Sequence, residues 1–332
     1  MSKLYTLALI FILISCDSRR IVSNDDTIFV DYDKEQIFDW NNTILIKSVV
    51  SLETADDCVL SYARKCLVSG KYIVYHDEKQ KAIFVFDEEG TFLYVIDAVG
   101  GGPDEYTEIK DMAISCDKEF ILVLDNNSVV SFDLKNGRFQ DRISLPQDIA
   151  SNFYRFANVD KQTFYFWSTE KENSLYLYEN GEMKVIEKRT GFPFVCQKFY
   201  YDSENSLNYI SDYGLFEIHG LEQEWVRKKY SFDFGYLNFS KSQMPKNVTE
   251  FEQVDDDESF KCIMSAFETD DDLFIMTVSP DGMLYNICLD KITHEVRAGK
   301  QDENAPLLVV DAVGSYFYGI IYPYHFSMSG KL

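Results

Sequence analysis

The sequence predicts an all-β fold, a six-bladed β-propeller whose last blade is incomplete and is closed by an N-terminal strand. Three observations carry the prediction. Short runs of aromatic and β-branched residues recur along the chain, each bounded by Gly, Asn or Asp. Their landmarks repeat in register: Asp77 returns as Asp125, Asp87 as Asp133 and Gly90 as Gly137. That period of about 47 residues suits a propeller blade. Between the runs there is no apolar stripe at helical spacing, which argues against a helical solenoid. The physical reason for a ring is burial. One four-stranded sheet leaves two apolar faces wet, and blades packed radially cover each other.

From the start of the chain, Lys3, the apolar run Leu4–Ile14 and the ending Leu13-Ile14-Ser15-Cys16 form a secretory signal over residues 1–15. The run is too short to span a bilayer. Residues 16–27, with Asp17-Ser18-Arg19-Arg20 and Asn24-Asp25-Asp26, form a polar tether to a propeller over 28–332. Ser48–Thr54 is the strand expected to pair with the final blade and remove its open edge.

The first unit is Tyr72–Asp77, Ala82–Asp87, a turn at Gly90 and Thr91–Ile96. The second is Phe120–Asp125, Val129–Asp133, Gly137 and Arg138–Leu145. Looser copies follow. Phe164–Trp167 and Leu175–Tyr178 precede the Asn180-Gly181 turn, and Leu207–Ile210 and Leu215–Ile218 precede a turn at Gly220. Leu273–Thr277, the Pro280-Asp281-Gly282 turn and Met283–Leu289 come next, then Leu307–Val310 and Tyr316–Ile321. The polar segment 240–259, with Asp255–Glu258, interrupts the rhythm as an inserted loop or short helix.

Charge narrows the function. With 32 Lys+Arg against 55 Asp+Glu the net is −23, which argues against nucleic acid and against electrostatic adhesion to anionic lipid. Attachment to a membrane then rests on acyl chains. Of seven cysteines, the six after Cys16 include no C-x-x-C pair, so zinc and thioredoxin-like readings lack support. Six buried thiols are the simple alternative to disulfides between Cys58 and Cys66 or Cys262 and Cys288.

In order, Val50–Thr54, Tyr72–Asp77, the run Gly100-Gly101-Gly102-Pro103-Asp104-Glu105-Tyr106, Ile109–Ile114 and Phe120–Asp125 resemble the six-bladed β-propeller lipoproteins abundant in Bacteroidota, distant relatives of NHL-repeat proteins. The chain departs from the pattern at Ser51, where Pro is usual. The resemblance implies a propeller, lipid on Cys16 and attachment to the cell envelope, at the outer membrane. It implies no settled activity, because a fold does not fix a function.

The Gly100–Tyr106 run is the candidate binding element. Its glycines permit close backbone approach, and its amides could hold a polar ligand group. A tight crossover between blades explains the same residues. His76, His219, His294 and His325 share no metal-ligand spacing. Asp255–Glu258 and Asp270–Asp272 lack the EF-hand pattern, and no G-x-S-x-G is present. No catalytic residue, metal or cofactor is therefore assigned. Trp40, Trp167, Trp225, Tyr200-Tyr201 and Tyr316–Tyr318 offer rings for stacking or for packing between blades.

The expected role is an envelope binding or interaction module, its ligand a glycan or peptide at one end of the central channel. The alternatives are a polysaccharide lyase or glycosidase using carboxylate or Tyr chemistry at the channel mouth, and a partner of an outer-membrane uptake complex.

Overall fold

The computed structural model describes residues 27–321 apart from 34, 57, 241–243, 246, 254–258 and 303–306. The signal, Cys16, His325 and the acidic run Asp255–Glu258 lie outside the described residues. Strand β1 (Thr27–Phe29) comes first. Blade one is β2–β5 (Ala63–Ser69, Tyr72–Asp77, Ala82–Asp87, Phe92–Ile96). Blade two is β6–β9 (Asp111–Ile114, Phe120–Leu124, Ser128–Asp133, Phe139–Ser144), and blade three is β10–β13 (Phe153–Asp160, Thr163–Ser168, Asn173–Glu179, Glu182–Lys188). Blade four is β14–β17 (Phe199–Tyr201, Leu207–Ile210, Glu217–Glu222, Trp225–Asp233), with β1 added on its outer edge. Blade five is β18–β21 (Ile263–Glu268, Asp272–Val278, Leu284–Asp290, Val296–Lys300). A two-stranded hairpin, β22–β23 (Leu307–Val313, Tyr316–Ile321), completes the ring.

The fold is an all-β propeller of five blades, not the six expected. The last repeat supplies only the inner hairpin among the described residues. This hairpin packs between β2 and β18, so the innermost strands β2, β6, β10, β14, β18 and β22 encircle the axis. Each blade is antiparallel with its first strand innermost, so all inner strands start at one face, here called the upper face. Crossovers between blades and turns between second and third strands lie there too.

The repeated acids are turn and loop fasteners. Asp77 accepts hydrogen bonds from the amides of Ser61 (2.6 Å) and Gln80 (3.0 Å) and from the Ser61 hydroxyl. Asp125 does the same for Thr107 and Glu108, just before β6. Five polar donors hold Asp77, and they outweigh burial to lower its carboxyl to about 2. Asp87 and Asp133 close the turns before β5 and β9, with Gly90 (φ 87°) and Gly137 (φ 68°) in the left-handed region.

The N-terminal segment forms a belt around the outside of the ring, which also corrects the expected closure. β1 runs parallel to Ser231–Asp233 of blade four. Phe38 N–H donates to Lys300 O and Lys300 N–H to Gln36 O on blade five, both at 2.9 Å. Lys47 reaches the Tyr316 hydroxyl on the hairpin. Ser48–Thr54 then lies on the Gly90 turn of blade one rather than pairing with the last blade. Glu53 N–H donates to Gly90 O (2.8 Å), and its carboxylate accepts Phe92 N–H (2.8 Å). Gly90 makes this possible, because a Cβ there would sit 2.3 Å from Ser51 O. Edges that would otherwise invite pairing are thus covered. Among the described residues no helix is long and apolar enough to cross a membrane.

Candidate functional site

An axial cavity of about 860 Å³ runs through the ring, lined from every position, including Lys65, Asp111, Arg155, Lys198, Ser265 and Asp311. Its walls are inner-strand edges, whose outward amides have no ladder partner within their own blade. The neighbouring blade supplies one. Phe156 N–H donates to Asp111 Oδ2 (3.2 Å), Val68 N–H to Asp311 Oδ2 (2.7 Å), Cys116 N–H to Asn158 Oδ1 (3.0 Å) and Ala266 N–H to Gln197 Oε1 (3.1 Å). These bonds satisfy buried donors and stitch adjacent blades together.

Cations collect at the upper mouth, where the inner strands begin. Lys65 pairs with Asp111 at 2.8 Å. Lys110 donates to Ser151 O (2.9 Å), with Glu108 at 3.9 Å, and lies 5.0 Å from the Tyr154 ring centre. Burial pulls its ammonium below the usual lysine range. The half-buried guanidinium of Arg155 donates to three carbonyls, those of Cys196 (2.8 Å), Tyr154 (2.7 Å) and Lys110 (3.2 Å). Among the described residues no carboxylate lies within ion-pairing distance of it. Lys198, 1% exposed, bonds Ser211 O (3.0 Å) and reaches Asp212 at 3.4 Å.

On the lower face, the seam between blades four and five is built differently. Glu268 receives Lys229 (2.9 Å), Lys291 (3.0 Å), Tyr230 (2.9 Å) and Tyr200 (3.1 Å), and Lys229 also pairs with Asp202 at 2.8 Å. This knot ties blade four to blade five. Burial pushes the phenols of Tyr200 and Tyr201 up, so both are protonated at neutral pH and serve as donors, Tyr201 to Asn158 O. Burial holds the His76 imidazole down at about 4, and it stays neutral in the wall. Burial also raises the Asp311 carboxyl to about 6, partly opposed by the Val68 and Ala312 amides and by Lys65. Two hydroxyls in the lining, Ser69 (6% exposed) and Ser265 (7%), have no hydrogen-bond partner.

The Gly100–Tyr106 run lies on the crossover from β5 to β6, on the upper face but outside the channel lining. Its polar groups are engaged internally. Gly100 N–H donates to Tyr106 O (2.9 Å), Tyr106 N–H to Ala98 O (2.8 Å) and Gly102 N–H to Glu105 Oε2 (2.7 Å). Tyr106 is fully buried, with its hydroxyl on Lys81 O (2.8 Å). Arg142 donates to the carbonyls of Pro103 and Glu105. The crowded glycine is Gly100, where a Cβ would overlap the Glu105 carboxylate; Gly101 has open space, and the Asp104 carboxylate lies 3.3 Å from a Cβ placed at Gly102.

Other candidates scatter. Asp270 accepts the Ser315 hydroxyl at 2.6 Å. Trp40 packs on Phe274, Trp167 is fully buried, and Trp225 is exposed at the end of blade four. His219 lies 3.3 Å from Glu217. The insertion contributes the short helix Val248–Gln253, whose Phe251 stacks on Phe192 at 4.6 Å. The channel cations Lys65, Lys110, Arg155 and Lys198 were missed by sequence reasoning, since they lie far apart in the chain and meet only when the ring closes. An available signal was the clustering of basic residues just before or early in the inner strands.

The family model for a domain of unknown function, DUF4934, matches residues 26–328. No curated protein matches the sequence. Among solved structures, the chain is similar to a Bacteroides fragilis NCTC 9343 protein described as a "Putative exported protein". The TM-score is 0.65 at 15% identity, over 83% of this chain and 80% of that one. It is also similar to a DUF4221 family member from Bacteroides vulgatus, with TM-score 0.51 and 12% identity over 75% and 83% of the two chains. At these identities the likeness is one of fold.

Proposed function

This chain belongs to the DUF4934 family, and we propose, from the channel its propeller encloses, that it is an envelope binding module taking a glycan or peptide ligand into that channel. The observation that carries the reading is the cavity of about 860 Å³ enclosed by the inner strands of all five blades and the hairpin. Its volume falls within the range of ordinary ligand sites. Asp111, Asp311 and Lys198 there are held by structural partners, which supports binding over catalysis. The module is exported, which the Lys3 to Cys16 pattern and the description of the B. fragilis neighbour as exported support, and it is held by lipid on Cys16 at the outer membrane, a reading that rests on the sequence pattern alone.

Val310 lines the channel and is partly exposed. Val310→Trp should obstruct it. Maltotetraose, tetragalacturonate and tetraglutamate titrated calorimetrically into both proteins should give at least one ligand whose affinity falls about tenfold or more in the variant, a loss of ~1.4 kcal/mol. Binding indifferent to the block would move the site off the axis, and no binding by any probe would count against the reading. The anchor is tested separately. Cys16→Ala should move the protein from the membrane to the soluble fraction of lysed cells, and unchanged membrane fractionation would defeat the lipid assignment.

A further inference from the structure

We infer that the channel ligand is an acidic oligosaccharide, a uronate-type chain whose carboxylates dock on Arg155, Lys110 and Lys65 at the upper mouth. This rests on the channel-binding reading and adds the ligand's chemistry.

Charge gives the first step. The chain carries a net −23, yet Lys65, Lys110 and Arg155 converge from three successive blades on one mouth. Lys65 pairs with Asp111 at 2.8 Å and Lys110 more loosely with Glu108 at 3.9 Å, whereas Arg155 is held, among the described residues, by carbonyl oxygens alone. Carbonyls orient a guanidinium without cancelling its charge. An oxyanion arriving at the mouth would gain charge-assisted hydrogen bonds in a partly desolvated setting.

Chemistry of the wall gives the second step. A peptide in a β-lined channel is recognised chiefly through strand-edge amides and carbonyls. Here Asp111, Asp311, Asn158 and Gln197 already occupy inner-edge amides at three seams. What remains available is side-chain chemistry: the cations and the partly exposed ring of Phe199. Those groups suit hydroxyls, carboxylates and the flat face of a sugar ring.

The test uses tetragalacturonate, with maltotetraose and tetraglutamate as comparators, on the folded full chain. The wild type should bind tetragalacturonate most tightly. Lys110→Gln, which can retain the bond to Ser151 O, and Arg155→Gln should each weaken it about tenfold or more, the value of one charge-assisted hydrogen bond. Raising ionic strength from about 0.01 M to about 0.15 M, which shortens screening from ~30 Å to ~8 Å, should weaken wild-type binding markedly. Should Arg155→Gln lose its fold, Lys110→Gln and the salt series still decide. Maltotetraose binding equally well, with block by Val310→Trp but no effect of salt or Lys110→Gln, would overturn the acidic assignment and leave the channel reading intact. Tetraglutamate binding more tightly would overturn the sugar assignment alone. Tetragalacturonate binding that ignores Val310→Trp, or no binding of any probe, would remove both.

Discussion

Asp212→Ala is expected to lower stability by about 3–5 kcal/mol, the cost of leaving buried charge without its partner. Asp212 accepts Trp167 Nε1–H at 2.8 Å and Arg189 at 2.6 Å, and it lies 3.4 Å from Lys198. The side chains of Asp212, Arg189 and Lys198 are 3%, 5% and 0% exposed. The carboxylate joins blade three, through Trp167 and Arg189, to the loop that precedes β14 of blade four. Without it, the two enclosed cations keep the carbonyls of Ser168, Glu170 and Asn173 for Arg189 and of Ser211 for Lys198, and the Trp167 ring at 5.4 and 4.8 Å, but, among the described residues, no counter-charge. Asp212→Asn keeps an acceptor for Trp167 and should cost less. Urea unfolding should show the midpoint falling with little change in slope. Adding Lys198→Met to Asp212→Ala should cost less than the two losses summed, because one orphaned charge is removed. By contrast, breaking the exposed Lys184–Glu224 pair, whose side chains are 40% and 60% exposed, should leave the urea midpoint nearly unchanged. An Asp212→Ala protein within about 1 kcal/mol of wild type would mean that the seam does not depend on this carboxylate.

The fold was legible where strands face other strands. Tyr72–Asp77, Ala82–Asp87, Leu207–Ile210 and Tyr316–Ile321 are strands with the bounds that their composition suggests. They sit in the middle of blades or in the hairpin, and most carry apolar residues on both faces. The innermost strands were harder to see. β2 contains Arg64 and Lys65, and β14 is only Phe199–Tyr201 behind Lys198. Their side chains meet the channel, so polar residues interrupt the pattern that marks a buried strand. The strands that build the site are therefore those that the pattern hides.

The candidate site shows the same limit. The Gly100–Tyr106 run is conspicuous in the chain because a tight crossover needs Gly100, Pro103 and a buried Tyr106. The channel cations come from separate blades and become neighbours only when the ring closes. Blade number was overcounted because Leu307–Val310 and Tyr316–Ile321 have the composition of blade strands while forming only a hairpin. Gly220 was expected in a turn but lies within β16; the turn belongs to Gln223, at φ 54°. A polar residue can adopt that conformation at modest cost, so glycine is an imperfect marker of turns.

Gly299→Val should release the belt from blade five and lower stability by about 3 kcal/mol, overpacking and lost burial combined. A Cβ at Gly299 would lie 2.5 Å from Phe38 N, 2.7 Å from Ile37 C and 2.8 Å from Phe38 Cα. These are backbone atoms, so rotating a side chain cannot relieve the overlap and the belt itself must move. Movement breaks the Phe38–Lys300 and Lys300–Gln36 hydrogen bonds. It also withdraws Phe38, 3% exposed, from Trp40 and Phe274, whose ring centres are 4.8 and 5.9 Å away. Hydrogen exchange at the Phe38 and Lys300 amides should quicken, and protease should cut between Gln36 and Lys47 before the blades unfold. Gly101→Val is the control, since that position has open space and an ordinary φ. The belt lies outside the ring and the channel inside it. Ligand affinity should therefore survive Gly299→Val at temperatures where the blades stay folded, while the exchange and proteolysis change. Unaltered protection in the variant would show that Phe38 does not rest on Gly299 and that the ring holds together without its strap.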